Sequence, residues 1–186
     1  MKIDPLHPAH HPVGRIPFCV VDIETTGLSP TADEITEIAV IRVDECFRIT
    51  GELCHLVRIS RPVPWHITRL TGISDSLLRT HGRPLPGVLE EIHAYVGDLP
   101  SFAHNARFDR GFLNASAARV APTRQFPLEC SIPWFKRALP GRKGYGLPVL
   151  AEALRVSGGG EHRALGDCRV LLECMRRAHA GMRRAG

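Results

Sequence analysis

The folded part of the chain opens on an apolar run. Phe18-Cys19-Val20-Val21 passes into Asp22-Ile23-Glu24 and then into the turn signal Thr25-Thr26-Gly27, predicting a strand over 18–24. A second strand is expected over 35–43, and a third over 49–59, joined to the second by a hairpin and stopped by Pro62 and Pro64. A short helix over 65–71 ends at Gly72. Val88, Leu89, Ile92, Tyr95 and Val96 recur at helical spacing, predicting a helix over 86–96. A short strand follows over 101–104. The next helix, over 107–120, carries Phe108, Phe112, Leu113 and Ala117 on one side. Glu129-Cys130 reads as the last strand, and helices are expected over 131–139, 147–154 and 166–180. The run Gly158-Gly159-Gly160 links the last two flexibly. Three strands followed by alternating helix and strand predict an α/β domain with a mixed sheet. Ligands of such sheets sit beyond the carboxyl ends of strands.

Length and composition narrow this picture. With 186 residues there is room for one domain, or one domain and a tail. A hydrophobic share of 44% and a charged share of 23% are ordinary globular proportions and exclude wholesale disorder. No apolar stretch approaches the roughly eighteen residues a membrane span needs. Residues 1–13 are rich in His and Pro and lack the apolar run of a secretory signal. Residues 1–15 are expected to be a disordered leader, 16–181 the domain, and 182–186 a basic tail. The formal charge of +5 fits an anionic partner such as a nucleic acid, although many basic proteins bind none. The six cysteines form no C-x-x-C pair. They read as reduced thiols of a cytoplasmic protein without disulfides.

Candidate chemistry rests on acids. Asp22 and Glu24 are two apart on a strand, so both carboxylates share a face. Two close carboxylates raise one another's pKa unless a cation lies between them, and a hard divalent cation suits oxygen ligands. Alone, such a pair also reads as a solvated strand face. Asp109 opens a helix after a short strand, where the helix dipole favours an acid in any case. His162 precedes Asp167 by five residues, about 140° short of a shared helix face if both were helical. The useful geometry places His162 on the flexible segment after the glycines and Asp167 on the helix. A mobile His near an acid then fits a general base.

Together these segments resemble the DEDD family of 3′–5′ exonucleases, in the DnaQ-like branch with His in the last motif. That branch includes the proofreading epsilon subunit of bacterial DNA polymerase III and RNase T. The first motif stands as Val21-Asp22-Ile23-Glu24-Thr25-Thr26-Gly27-Leu28, the second as His104-Asn105-Ala106-Arg107-Phe108-Asp109, and the third as His162-Arg163-Ala164-Leu165-Gly166-Asp167. Leu70-Thr71-Gly72-Ile73 lies between the first two and is similar to the family's L-T-G-I segment. The resemblance runs from about Pro17 to Ala178.

The resemblance implies a ribonuclease H-like mixed β-sheet flanked by helices, and two Mg²⁺ or Mn²⁺ ions. Asp22, Glu24 and Asp167 would hold one metal. Asp22 would bridge to the second, with Asp109 reaching it directly or through water. His162 would take the proton from the attacking water. Hydrolysis of a phosphodiester needs charge stabilisation at both the attacking and the leaving oxygen, which two metals supply. Backbone groups around Thr25 to Leu28, with Leu28, Leu70, Asn105 and Phe108, would hold the terminal nucleotide. Arg142 and Lys143 sit in a glycine-flanked loop that reads as a phosphate contact or as a solvated basic loop.

The implied activity is 3′–5′ hydrolysis of single-stranded nucleic acid ends, DNA favoured, to nucleoside monophosphates. RNA trimming of the RNase T type is the alternative, as is a non-catalytic module of a replication or repair complex. The segment after the second motif departs from the family: Cys130-Ser131 and Gly146-Leu147-Pro148 stand where Cys-Thr and Lys-Leu are common. The chain stops nineteen residues after Asp167, too few for a polymerase-binding extension, so a free-standing exonuclease is expected over a replicase subunit of that type. Recruitment to a polymerase through another surface stays open, and so does monomer versus homodimer.

Overall fold

A computed structural model describes residues 13–120, 124–158 and 162–185. Among them a five-stranded sheet runs in the order β3-β2-β1-β4-β5. β1 (Phe18–Thr25), β2 (Ile35–Val43) and β3 (Ile49–Leu56) pair antiparallel. β4 (Ser101–Ala103) and β5 (Leu128–Cys130) add on parallel to β1. Seven helices accompany the sheet: α1 (Trp65–Thr71), α2 (Asp75–His81), α3 (Leu85–Val96), α4 (Arg107–Val120), α5 (Ser131–Ala138), α6 (Leu147–Leu154) and α7 (Ala164–Ala185).

The central strands are buried on both faces, which is why they read as nearly unbroken apolar runs. Phe18 and Val20 of β1, with Ala39, Ile41 and Val43 of β2, pack against α5, α6 and α7 through Trp134, Phe135, Leu150, Leu171 and Met175. Cys19, Val21 and Ile23 point the other way and join Val88, Leu89 and Ile92 of α3 and Phe112 and Leu113 of α4. A smaller core of Val63, Ile73 and Leu78 sits under α1 and α2.

Several boundaries differ from the sequence reading. β3 stops at Leu56, short of 59, because the chain turns to a new partner: Val57 bridges Arg83, and the Arg83 N–H donates to the Leu56 carbonyl at 2.9 Å. α2 was not expected. Ser74 caps it by accepting the Leu77 N–H at 3.2 Å, and Asp75 fixes it to the preceding loop by accepting the Val63 N–H at 2.7 Å. α7 starts two residues earlier than 166, where Glu37 accepts the Ala164 N–H, and its helical backbone continues to Ala185 through the stretch read as a tail. Residues 1–12 of the expected leader lie outside the described residues, as do Gly159 and Gly160. Val13, also assigned to that leader, is 1% exposed in the α7-side core. The six cysteines are free thiols, and among the described residues no helix is long and apolar enough to cross a membrane.

Candidate functional site

β1 outruns its parallel neighbour. It pairs with β4 only at Cys19 and Val20, so its carboxyl end projects past the sheet on that side. Asp22 and Glu24 continue the Val20 face and point toward α7. The first turn of α7 brings Asp167 to them. Carboxylate oxygens of Asp22, Glu24 and Asp167 lie within 4.8 Å of one another. The adjacent Cys168 anchors that turn: it is fully buried, and its thiol faces the carbonyls of Val20 at 3.6 Å and Ala39 at 3.7 Å.

Asp109 arrives from the opposite layer. It lies in the first turn of α4 and is 3% exposed. The Cys19 N–H points toward β4, where it donates to Pro100. By the strand's period of two the Ile23 N–H points the same way, past the end of β4. Asp109 uses that free donor, accepting a backbone hydrogen bond from Ile23. Asp109 is outside the three-acid cluster but close enough to Asp22 for its charge to act there.

Without cations this cluster is electrostatically frustrated. Burial raises the Asp22 pKa well above the carboxylate range, and Asp109, Asp167, Glu24 and Glu37 raise it further. Glu24 is pushed up to about 8, by burial first and then by Asp167 and Glu37, while Arg163 opposes the shift. Burial lifts Asp109 to about 7 against its backbone hydrogen bonds. Asp167 is also raised by burial, with His162 acting the other way. Three converging carboxylates whose ionised forms are this unfavourable make an oxygen-only donor set suited to a divalent cation.

His162 sits two residues before α7 in the left-handed region, φ 40°, and is exposed. It lines a cavity of about 740 Å³ together with Arg163, Gly166 and Asp167. The helix proper carries Asp167, and the segment before it carries the imidazole.

The expected nucleotide-binding residues divide into two groups. Leu28, Asn105 and Phe108 line one open groove of about 620 Å³, with Pro30, Arg107, Arg110, Gly111 and Asn114. Leu28 is 84% exposed, and Phe108 rests on Phe112 with ring centroids 4.9 Å apart. Leu70 does not line that groove and stands half-exposed on α1. Thr25 is buried, and its hydroxyl donates to the Gly27 carbonyl at 2.6 Å, so its side chain builds the turn. A Cβ at Gly27 would sit 2.5 Å from an oxygen of Asp33, whose carboxylate accepts the Ser29 N–H. A side chain at residue 27 would therefore have to displace the Asp33 carboxylate from its hydrogen bond to Ser29. Arg142 and Lys143 lie on the loop between α5 and α6 and line neither cavity.

Two residues at the site escaped the sequence reading. Glu37 of β2 is in register with Glu24 and 1% exposed. Arg163 holds it through Nε and Nη2. A lone acid inside the run Ile35-Thr36-Glu37-Ile38-Ala39-Val40 signals a buried charge that needs a cation. The partner, 126 residues away, carried no such mark.

Comparison with known proteins agrees with this geometry. Residues 19–175 match the profile of the family RNase_T, Exonuclease. The chain is 31% identical over 158 residues to the DNA polymerase III subunit epsilon of Aquifex aeolicus, covering 84% of this chain and 77% of that protein. It is 33% identical over 161 residues to the PolC-type DNA polymerase III of Halalkalibacterium halodurans, covering 86% of this chain. The chain spans 11% of that polymerase, and about a tenth to a quarter of several other curated relatives. Among solved structures, exonuclease I superposes with a TM-score of 0.78 at 19% identity, covering 91% of this chain and 42% of that one. Exonuclease X in complex with 5′ overhanging duplex DNA superposes with a TM-score of 0.65 at 26% identity, covering 91% and 93%.

Proposed function

Because the chain belongs to the RNase_T exonuclease family, we propose that it is a metal-dependent 3′–5′ exonuclease that shortens single-stranded nucleic acid, DNA in preference to RNA, to nucleoside monophosphates. The observation that carries the reading is the convergence of Asp22, Glu24 and Asp167 from β1 and α7 on one point beyond the carboxyl edge of the sheet. The polymerase III relatives support DNA as the substrate.

Two divalent ions, Mg²⁺ or Mn²⁺, held by Asp22, Glu24, Asp109 and Asp167, would supply the charge that neutralises the phosphodiester and stabilises its leaving oxygen. The chain's own groups do the rest. The 3′-terminal nucleotide lies in the groove beside α4, where Leu28 and Phe108 give apolar surface to the base and Asn105 gives a hydrogen-bonding edge. Arg107 and Arg110 flank that groove and attract the strand's phosphates. Neutral His162 accepts the proton of the attacking water on an imidazole nitrogen, then returns it to solvent, to which its exposed position gives access. A polymerase or repair complex is the partner the relatives suggest.

The test is digestion of 5′-labelled single-stranded DNA and RNA of one sequence, with Mg²⁺, Mn²⁺ or EDTA, beside Asp22→Ala protein. Stepwise loss from the 3′ end that EDTA and Asp22→Ala abolish is expected, faster on DNA. Folded, metal-loaded protein that shortens neither substrate would overturn the reading. Faster RNA shortening would move it to RNA trimming.

A further inference from the structure

The segment that carries His162 is tied to the sheet at one point only a residue away. Arg163 reaches Glu37 with a two-nitrogen fork, Nε to both carboxylate oxygens at 3.1 Å and Nη2 to Oε1. Glu37 Oε2 also accepts the Ala164 N–H at 2.9 Å, satisfying one of the free donors at the start of α7. The Arg163 carbonyl in turn accepts the Asp167 N–H at 3.0 Å. A single carboxylate on β2 thus grips the side chain of residue 163 and the backbone of residue 164. It does so directly across the ladder from Glu24. The anchor is rigid: Glu37 is 1% exposed in a strand buried on both faces. His162 itself is exposed, at φ 40°.

We propose that Glu37 and Arg163 are a positioning pair that clamps the His162 segment to the sheet beside Glu24 and so holds the imidazole where it meets the scissile phosphodiester. This rests on the reading of His162 as the general base. Arg163 is spent on Glu37, and both act through the backbone they hold. Charge-assisted, forked hydrogen bonds of this kind fix geometry as well as energy, which a lone Lys–carboxylate pair would not.

The test is steady-state and single-turnover cleavage of a single-stranded oligonucleotide by Glu37→Gln and Arg163→Gln, each also combined with His162→Ala, with Mn²⁺ titration of every variant. A misplaced base should lower kcat by about 10–100-fold while KM moves by about twofold or less. In the His162→Ala background the same substitutions should slow the enzyme no further, because the group they position is gone. Mn²⁺ binding should be retained. Unchanged kcat in both variants overturns the proposal. So does a loss that persists in full on top of His162→Ala, which would assign the pair to the metal ligands. A raised KM with unchanged kcat also overturns it and makes Arg163 a phosphate contact. Should either variant fail to fold, Arg163→Lys decides alone, since it keeps a cation beside the buried Glu37 carboxylate and removes only the fork. The single His162→Ala variant separates the two readings. If it is as fast as wild type, the base assignment fails. If it is slow while the pair variants are not, only the clamp fails.

Discussion

Glu24 on β1 and Glu37 on β2 stand opposite one another across the ladder, yet only Glu37 is closed by Arg163. Like charges directly across a sheet repel. The chain resolves one of the two from its own residues. The other is left with a pKa near 8, raised by burial and by Asp167 and Glu37. That asymmetry is what a site reserved for an external cation requires. A buried carboxylate with its own guanidinium would gain little from a metal, and one without it gains a great deal.

A pH dependence of stability follows from these shifts. Glu24 is raised from 4.5 to about 8 and Asp109 from 3.8 to about 7, and Asp22 and Asp167 move the same way. Between about pH 4 and about pH 8 these four carboxylates therefore hold more protons in the folded, metal-free chain than in the unfolded chain. The stability they contribute falls as pH rises through that window, opposed in part by His104 and His179, which burial lowers. Divalent metal competes with those protons, so the stabilisation it adds should grow with pH. Thermal unfolding in EDTA and in Mn²⁺, from about pH 5.5 to about pH 8.5, should show the two melting temperatures diverging upward. A constant gap would contradict the shifts.

Asp22→Asn separates stability from activity. The substitution removes the most crowded charge of the cluster and keeps the shape of the side chain. The metal-free variant should melt higher by about 2–6 °C at neutral pH, the shift that about 1–2 kcal/mol produces in a chain of this size. Turnover should fall by about 10³-fold or more. A metal-free melting temperature below that of wild type would show that the carboxylate is not strained.

What the sequence displays, and what it hides, follows from the range of the interactions. The bounds of β2, α4 and α6 agree with the pattern residue for residue, because in each the apolar positions are dense enough for the local pattern to show. α2 escaped because it buries only Leu78 and depends on a cap, Ser74, and on Asp75 gripping Val63. Asp22 and Glu24 lie on one face by strand geometry, so their meeting was legible. That Asp167 joins them depends on Cys168 and Leu171 packing α7 onto β1 and β2. Here the motif resemblance supplied what local pattern could not. The Glu37–Arg163 contact is carried by neither. Leu70 stands half-exposed on α1, which rests on its own small core.

Leu28 is the clearest probe of the groove. It is 84% exposed, so Leu28→Ala should leave the melting temperature within about 1 °C of wild type. On binding, burial of such a side chain against a base is worth about 1.5–2 kcal/mol, so KM should rise by about 10–30-fold with kcat nearly unchanged. Inhibition by a nucleoside monophosphate, read as Ki, should weaken in parallel. A melting temperature that drops while KM holds would assign Leu28 to the fold instead.

His162 and Asp167 are five residues apart but should fail differently. Asp167 contributes one of three carboxylates whose oxygens lie within 4.8 Å of one another, so on the proposed reading Asp167→Asn should lower both Mn²⁺ affinity and turnover. His162 is exposed and outside that set, so His162→Ala should keep Mn²⁺ affinity while lowering kcat by about 10²–10⁴-fold, the range for loss of a general base. Added imidazole reaches an exposed position and should restore part of the His162→Ala rate, whereas it can do nothing for Asp167→Asn. Isothermal titration with Mn²⁺ and single-turnover cleavage, with and without imidazole, read both quantities. Equal loss of metal affinity in the two variants would make His162 a ligand rather than a base.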